Sequence, residues 1–161
     1  MTGAAMVGDT RGGGDSGNRR LLPVLEKQTS YFWTGGAKGQ LLIARCDRCR
    51  LYQHPPLQRC AACGSSSFTP SPVSGRGRVA TFTVNHETWV PGLTVPFVFA
   101  AVELAEQAEL YVFSNIVGPV DRVRIGMPVS VFFEQHGELY LPLFSPEEQI
   151  EEHTSELQSL V

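Results

Sequence analysis

The sequence lacks most of the signatures by which a catalytic chain is recognised. It has no G-x-S-x-G elbow, no H-E-x-x-H, no P-loop, and no G-x-G-x-x-G between a strand and a helix; Gly75 and Gly77 precede a strand instead. No apolar run approaches the roughly 20 residues that cross a bilayer as a helix, so no membrane partner is expected. Residues 1–20 are glycine-rich and polar, without the apolar stretch of a secretory signal, and a cytoplasmic location is expected. A basic surplus is missing too. Thirteen Lys and Arg against sixteen Asp and Glu leave a formal charge of −3, which speaks against nucleic acid held by bulk electrostatics.

Cysteine is absent outside four positions, and these form two knuckles, Cys46-Asp47-Arg48-Cys49 and Cys60-Ala61-Ala62-Cys63, ten residues apart. Each C-x2-C lets two thiolates converge from a tight turn, and the spacing is that of a zinc ribbon with a structural Zn²⁺. Four thiolates saturate the ion, leaving no position for a substrate or an activated water. Two disulfides would need an oxidising compartment, and a redox C-x-x-C should open a helix in a βαβ unit. Rubredoxin-type iron uses similar knuckles, so spacing alone leaves the metal as zinc or iron, with zinc favoured.

A chain of 161 residues with 42% hydrophobic residues holds one ordinary core plus a small metal-stapled module. Residues 1–20 are expected as a disordered tail, because they bury too little apolar surface to offset the entropy of ordering them. Residues 21–38 are expected as a helical segment: Pro23 suits a first turn, Leu22, Leu25, Thr29, Phe32 and Trp33 recur at helical spacing, and Gly35-Gly36 supply a stop. Residues 39–72 make the ribbon, with strands at 40–45 and 51–54, and residues 70–77, rich in proline and glycine, read as a linker. The remainder to residue 146 is β-rich. Strands are expected at 79–89, 97–104, 110–117, 129–134 and 139–144, with a longer connection at 118–128. Five short strands with one long connection predict a Greek-key barrel of the OB type over 73–146; an SH3-like barrel or a small sandwich would share the pattern. The acidic segment 147–161 reads as a terminal tail.

Among the histidines, His54, His136 and His153 read as exposed polar residues. His86, beside Glu87 and Trp89 at the end of a strand, is the one placed for a ligand contact or a general base. Arg76 and Arg78 flank Gly77, Arg122 and Arg124 lie in the long connection, and Trp89 and Phe97 face each other across a loop; barrels of this type bind extended ligands through such groups. Phe82, Phe99, Phe113, Phe132 and Phe133 sit within apolar strand runs and are expected in the core.

Taken in order, these motifs resemble a known family. The pair Phe32-Trp33, the two knuckles, His54-Pro55-Pro56, Gly64-Ser65, Ser74-Gly75-Arg76-Gly77-Arg78-Val79, Phe82-Thr83-Val84, Ile125-Gly126-Met127-Pro128-Val129 and Leu141-Pro142-Leu143-Phe144 resemble the acyl-CoA-associated OB-fold family with a rubredoxin-like zinc ribbon, long catalogued as domain of unknown function 35. The usual Pro-Tyr of the second barrel strand is Pro96-Phe97 here, which removes a hydroxyl. The resemblance implies a helical segment, a ribbon and an OB barrel. It also implies an accessory subunit of a thiolase-superfamily enzyme, a thiolase or retro-aldol lyase acting on acyl-CoA thioesters, in sterol side-chain or aromatic-acid degradation. The expected assembly is a heterotetramer built on a dimeric large subunit. Some relatives are fused to a MaoC-like hydratase domain, for which this chain has no room. On this reading Cys46, Cys49, Cys60 and Cys63 hold structural zinc, no residue is catalytic, and acyl-CoA meets Arg76, Arg78, His86, Trp89 and Phe97. Two rivals stand beside it: a single-stranded nucleic-acid-binding ribbon/OB protein, and a free-standing acyl-CoA enzyme using His86 or Glu87.

Overall fold

The structure is a computed structural model that describes residues 20–147, so the tails read from sequence, apart from Arg20 and Glu147 at their inner ends, lie outside the described residues, and His153 with them. An N-terminal arm leads into a single helical turn, α1 (Ser30–Thr34), which continues as a 3₁₀ turn over Gly35–Lys38. A three-stranded antiparallel sheet follows, with β1 (Leu41–Cys46) between β2 (Tyr52–Gln53) and β3 (Phe68–Val73). The last five strands, β4 (Arg76–Asn85), β5 (Phe97–Leu104), β6 (Tyr111–Ile116), β7 (Pro128–His136) and β8 (Leu139–Pro146), close a barrel in the order β4-β5-β6-β8-β7. This is the architecture expected from sequence: mainly β, with a zinc-ribbon region and a closed five-stranded OB-type barrel. Among the described residues no helix is long and apolar enough to cross a membrane.

Closure depends on β4, which pairs antiparallel with β5 along most of its length and with β7 over Arg76 to Arg78. A bulge between Val79 and Thr81 bends the strand so that it can serve both neighbours. Gly77 sits where the strands cross, and a Cβ there would collide with the Glu103 carbonyl and the Val102 side chain. On the other side of the barrel, β6 and β8 meet parallel at Ile116 and Phe144. Inside lie Val79, Val98, Val102, Val112, Val129 and Phe144, all essentially sealed from solvent. Leu41 and Ile43 of β1 and Phe32 of α1 join the same core, so the ribbon sheet is docked on the barrel through one face of its central strand.

A hydrogen-bonded seam completes that docking. The Gln107 side chain, in the turn between β5 and β6, accepts from the Tyr52 amide at 2.9 Å and donates to the Tyr52 carbonyl at 3.0 Å. Nearby, the Ser74 amide donates to the Glu106 carboxylate at 2.6 Å.

Three expectations are corrected here. The helix is confined to Ser30–Thr34 and its 3₁₀ extension, while Leu21 and Val24 stand in solvent on an irregular arm. The arm is pinned by Arg20, whose guanidinium donates to Glu134 at 2.8 Å and to Asn115 at 2.6 Å. The α-helix does end where the glycines begin, with Gly35 as its C-cap, and Gly35 and Gly36 carry the chain on as a 3₁₀ turn pressed against the barrel, where a Cβ on Gly36 would overlap Tyr140 and Phe133; that turn is ended in its place by Gly39, at φ 66°.

The segment read as a linker is strand on both sides of a short bend. Residues Phe68–Val73 pair with β1, with Pro70 opposite Ala44 and Pro72 opposite Leu42. Two residues apart on an outer strand, both prolines turn their missing N–H to the open edge, so no ladder bond is lost. Phe99, Phe113 and Phe132, expected in the core, are 43%, 64% and 37% exposed. The period of two explains it: Val98, Ala100 and Val102 take the inner face of β5, and Val112, Ser114 and Ile116 that of β6, which turns the intervening phenylalanines outward.

Candidate functional site

The four sulfurs converge at the tip of the ribbon. Their Sγ atoms all lie within 4.8 Å of one another, with Cys46 to Cys63 at 3.6 Å and Cys49 to Cys60 at 3.5 Å. A tetrahedral zinc with Zn–S near 2.3 Å places its sulfurs about 3.8 Å apart, so the cage has the right size. Both knuckles are built alike. The Arg50 amide donates to the Cys46 carbonyl and the Gly64 amide to the Cys60 carbonyl, both at 2.9 Å, and each turn ends in a left-handed residue, Arg50 at φ 68° and Gly64 at φ 74°. Glycine takes that conformation freely; arginine does so only against steric resistance, which the surrounding turn overcomes.

Neighbouring side chains hold the knuckles in place. Asp47 accepts from the Ser67 hydroxyl at 2.5 Å and the Thr69 hydroxyl at 2.7 Å, and these bonds hold its carboxyl below the ordinary range. Buried Gln53 accepts from the Ala61 amide at 3.1 Å and donates to the Arg59 carbonyl at 3.3 Å, tying β2 to the second knuckle. His54, expected as an exposed polar residue, is instead half-buried, with its ring stacked on Phe32 at 4.7 Å. Burial pushes its imidazole below the ordinary value, keeping the ring neutral and suited to packing on an aromatic face.

The donor set itself calls for a cation. Backbone amides, Cys49 first, hold the Cys46 thiol down to about 6, and the Cys63 amide leads those that lower Cys60. The Leu51 amide lowers Cys49 as well, yet its hydrogen bond with Cys60 and its burial outweigh that and push it up to about 11. Four crowded sulfurs cannot all ionise beside one another; a divalent ion removes that conflict. Bound there, it would be closed to further ligands.

The structure divides the other sequence-predicted residues between two ends of the barrel. Arg76 opens β4 and forms a two-pronged ion pair with Glu147, at 2.8 and 3.1 Å, while the Ser130 hydroxyl donates to the same carboxylate at 2.7 Å. Those two bonds, Arg76 first, hold the Glu147 carboxyl down to about 2. Arg78 donates to the Gly126 carbonyl at 3.0 Å. His86 and Trp89 lie beyond the far end of β4, both exposed, Trp89 at 77%; Phe97 opens β5 opposite Asn85. The β4–β5 ladder separates the two groups by about 25 Å at ~3.3 Å per residue, so they do not form one site.

At that second end lies a feature sequence reasoning missed. Phe99 and Phe113, on neighbouring strands, stack at 6.1 Å with their planes 17° apart. With Phe97, Trp33, Leu22 and Leu143 they line a concave groove of about 600 Å³ under the N-terminal arm. Strict alternation in β5 and β6 was the signal available for it; the density of apolar residues in those runs concealed it.

Comparison with known proteins gives a consistent picture. Residues 33–69 match the rubredoxin-like zinc ribbon domain of ChsH2, and residues 71–134 match the C-terminal OB-fold domain of ChsH2. The chain is 36% identical over 128 residues to the 3-oxo-4,17-pregnadiene-20-carboxyl-CoA hydratase alpha subunit of Mycobacterium tuberculosis, covering 80% of this chain and 40% of that subunit. It is 34% identical over 82 residues to the benzoylsuccinyl-CoA thiolase subunit BbsA of Geobacter metallireducens, covering 50% of this chain and 52% of that one. The chain thus spans about half or less of these curated relatives. Among solved structures, a chain of the Ltp2–ChsH2(DUF35) aldolase superposes with a TM-score of 0.70 at 32% identity, covering 78% of this chain and 98% of that one.

Proposed function

Because the chain belongs to the DUF35 family, the zinc-ribbon and OB-fold proteins typified by ChsH2, we propose that it is a noncatalytic accessory subunit of a thiolase-superfamily enzyme acting on acyl-CoA thioesters. The observation that carries this reading is its likeness to nearly the whole of one chain of an aldolase that has a second named component. The chemistry of the chain agrees with it. All four thiols are gathered in one cage, so a cysteine nucleophile would have to come from the partner. The partner, a thiolase or retro-aldol lyase, performs the carbon–carbon chemistry, and two copies of this chain flank its dimer.

In this reading Cys46, Cys49, Cys60 and Cys63 hold structural Zn²⁺, which stiffens a knob too small to stand on its own core. The barrel end bearing His86, Trp89 and Phe97 faces the partner's CoA channel. Arg76 and Arg78 are given a structural part, since a carboxylate and a carbonyl already hold them. The relatives' names carry ring-bearing acyl groups, a pregnadiene in one and a benzoyl group in the other, so a ring-bearing acyl-CoA is the proposed substrate class. The assembly would work in the cytoplasm.

Coexpression with a thiolase-like protein encoded nearby tests the proposal. The two are expected to purify together, with the large subunit losing activity when this chain is left out. Separate elution together with an unchanged partner activity would overturn it.

A further inference from the structure

From the groove under the N-terminal arm, we infer that this chain itself binds the ring system of an apolar ligand, between the Phe99–Phe113 pair and Trp33. Only the ligand class rests on the reading above; the groove stands on geometry. Its volume of about 600 Å³ is in the range of small-molecule sites, and its wall sets aromatic rings, Trp33, Phe97, Phe99 and Phe113 among them, between aliphatic side chains. Phe113 is 64% and Phe99 43% exposed, although each is flanked along its strand by buried residues, so these rings are held on the outer surface by the register of the barrel. A stacked pair presents a flat apolar face, to which a fused or aryl ring can lie offset-parallel.

The polar groups at the groove are already engaged with one another. Ser114 donates to the Pro142 carbonyl at 2.6 Å, Asn115 donates to the Val98 carbonyl at 2.9 Å, and Arg20 occupies the Asn115 amide oxygen and Glu134. Such a lining offers an incoming ligand apolar contact and little hydrogen bonding, which suits a ring hydrocarbon whose polar end projects out of the open side. Size distinguishes it from a docking face for another protein. The arm borders the groove at Leu21, Leu22 and Pro23, and the space left between it and the two phenylalanines, about 600 Å³, is that of a single ring system.

The test uses the full, zinc-loaded chain without a partner. The Trp89→Phe variant leaves Trp33 as the sole tryptophan reporter, since the sequence has two. Lithocholate and 2-naphthoate are titrated in, with decanoate as the chain-shaped control. Saturable quenching of Trp33 by the ring carboxylates is expected, with half-saturation at least tenfold weaker for decanoate. Phe113→Asp should weaken ring binding at least tenfold while leaving the melting temperature nearly unchanged, because the residue is exposed. No saturable quenching up to the solubility limit, or ring affinity unaltered in Phe113→Asp, would overturn the proposal. So would a Phe113→Asp variant that loses capture of the thiolase-like partner when the wild-type chain binds no ring compound, an outcome that assigns the face to protein docking. Ring binding by a chain that captures no partner would sustain this inference while removing the accessory-subunit reading.

Discussion

The ribbon and the barrel solve the same problem, holding a short antiparallel sheet together, by opposite means. The barrel closes on itself and fills its interior with side chains: six valines and leucines and Phe144 are all sealed from solvent, and no strand between β4 and β8 is left unpaired on either side. The ribbon has three strands, one of only two residues, and its far end contains sulfur instead of hydrocarbon. Its inner face borrows the barrel's core through Leu41 and Ile43. The lesson is that one molecule contains a module whose stability scales with buried area and another whose stability scales with metal occupancy. Perturbations should therefore separate them.

The largest separation is expected from removing the metal. Structural zinc in such cages contributes apparent binding free energies of about 10–16 kcal/mol, far beyond what the ribbon could recover from packing. Chelation under reducing conditions, or Cys46→Ser, should disperse the amide protection of β1, β2 and β3 while β5 and β6 stay protected. Hydrogen exchange followed by mass spectrometry reads this directly, and simultaneous loss of both regions would show that they do not stand apart.

The reciprocal experiment is Phe144→Ala. It removes a fully buried ring at the β6–β8 junction and should cost about 3–5 kcal/mol, read as a lowered denaturant midpoint. Zinc stoichiometry at low denaturant should be unchanged, since the cage is built from the ribbon knuckles and takes no residue from β6 or β8.

A smaller effect should come from the seam. Gln107→Ala leaves the Tyr52 amide and carbonyl without their side-chain partners and should cost about 1–2 kcal/mol. Its value lies in what accompanies the loss: ribbon amides should open at lower free energy than barrel amides, whereas in the wild type the gap is narrower.

The smallest effect is expected at the Arg76–Glu147 clamp, whose arginine is largely exposed. Glu147 has its folded value lowered from 4.5 to about 2, chiefly by Arg76, so its contribution is complete above 4.5 and is lost as the pH falls through about 2. Carboxyl carbon shifts followed by NMR should give that low midpoint, and Arg76→Gln should return it toward the ordinary value with little change in melting temperature.

The same contrast explains what could be read from the sequence. The cage was legible because thiolate spacing is a local code, and five barrel strands were legible because each run is bounded by turn residues. What escaped depends on neighbours in space. Pro70 and Pro72 read as a break until the strand is known to lie at an edge. The helical spacing of Leu22 and Leu25 is genuine in sequence, but Arg20 is drawn away to Glu134, 114 positions later, and the arm follows it. His54 shows nothing locally of the Phe32 ring that covers it. The groove escaped for a further reason: an outward phenylalanine and an inward one look alike in a dense apolar run until the register is fixed.

The Gln107 amide has one more consequence. By taking the outward N–H and C=O of Tyr52, it occupies the edge at which β2 could have accepted another strand, and on the opposite edge Pro70 and Pro72 have no N–H to offer. Both borders of the ribbon sheet are thus blunted against strand addition. A partner cannot extend this sheet by backbone pairing, and two ribbons cannot join edge to edge; whatever recognises the ribbon must do so through its side chains.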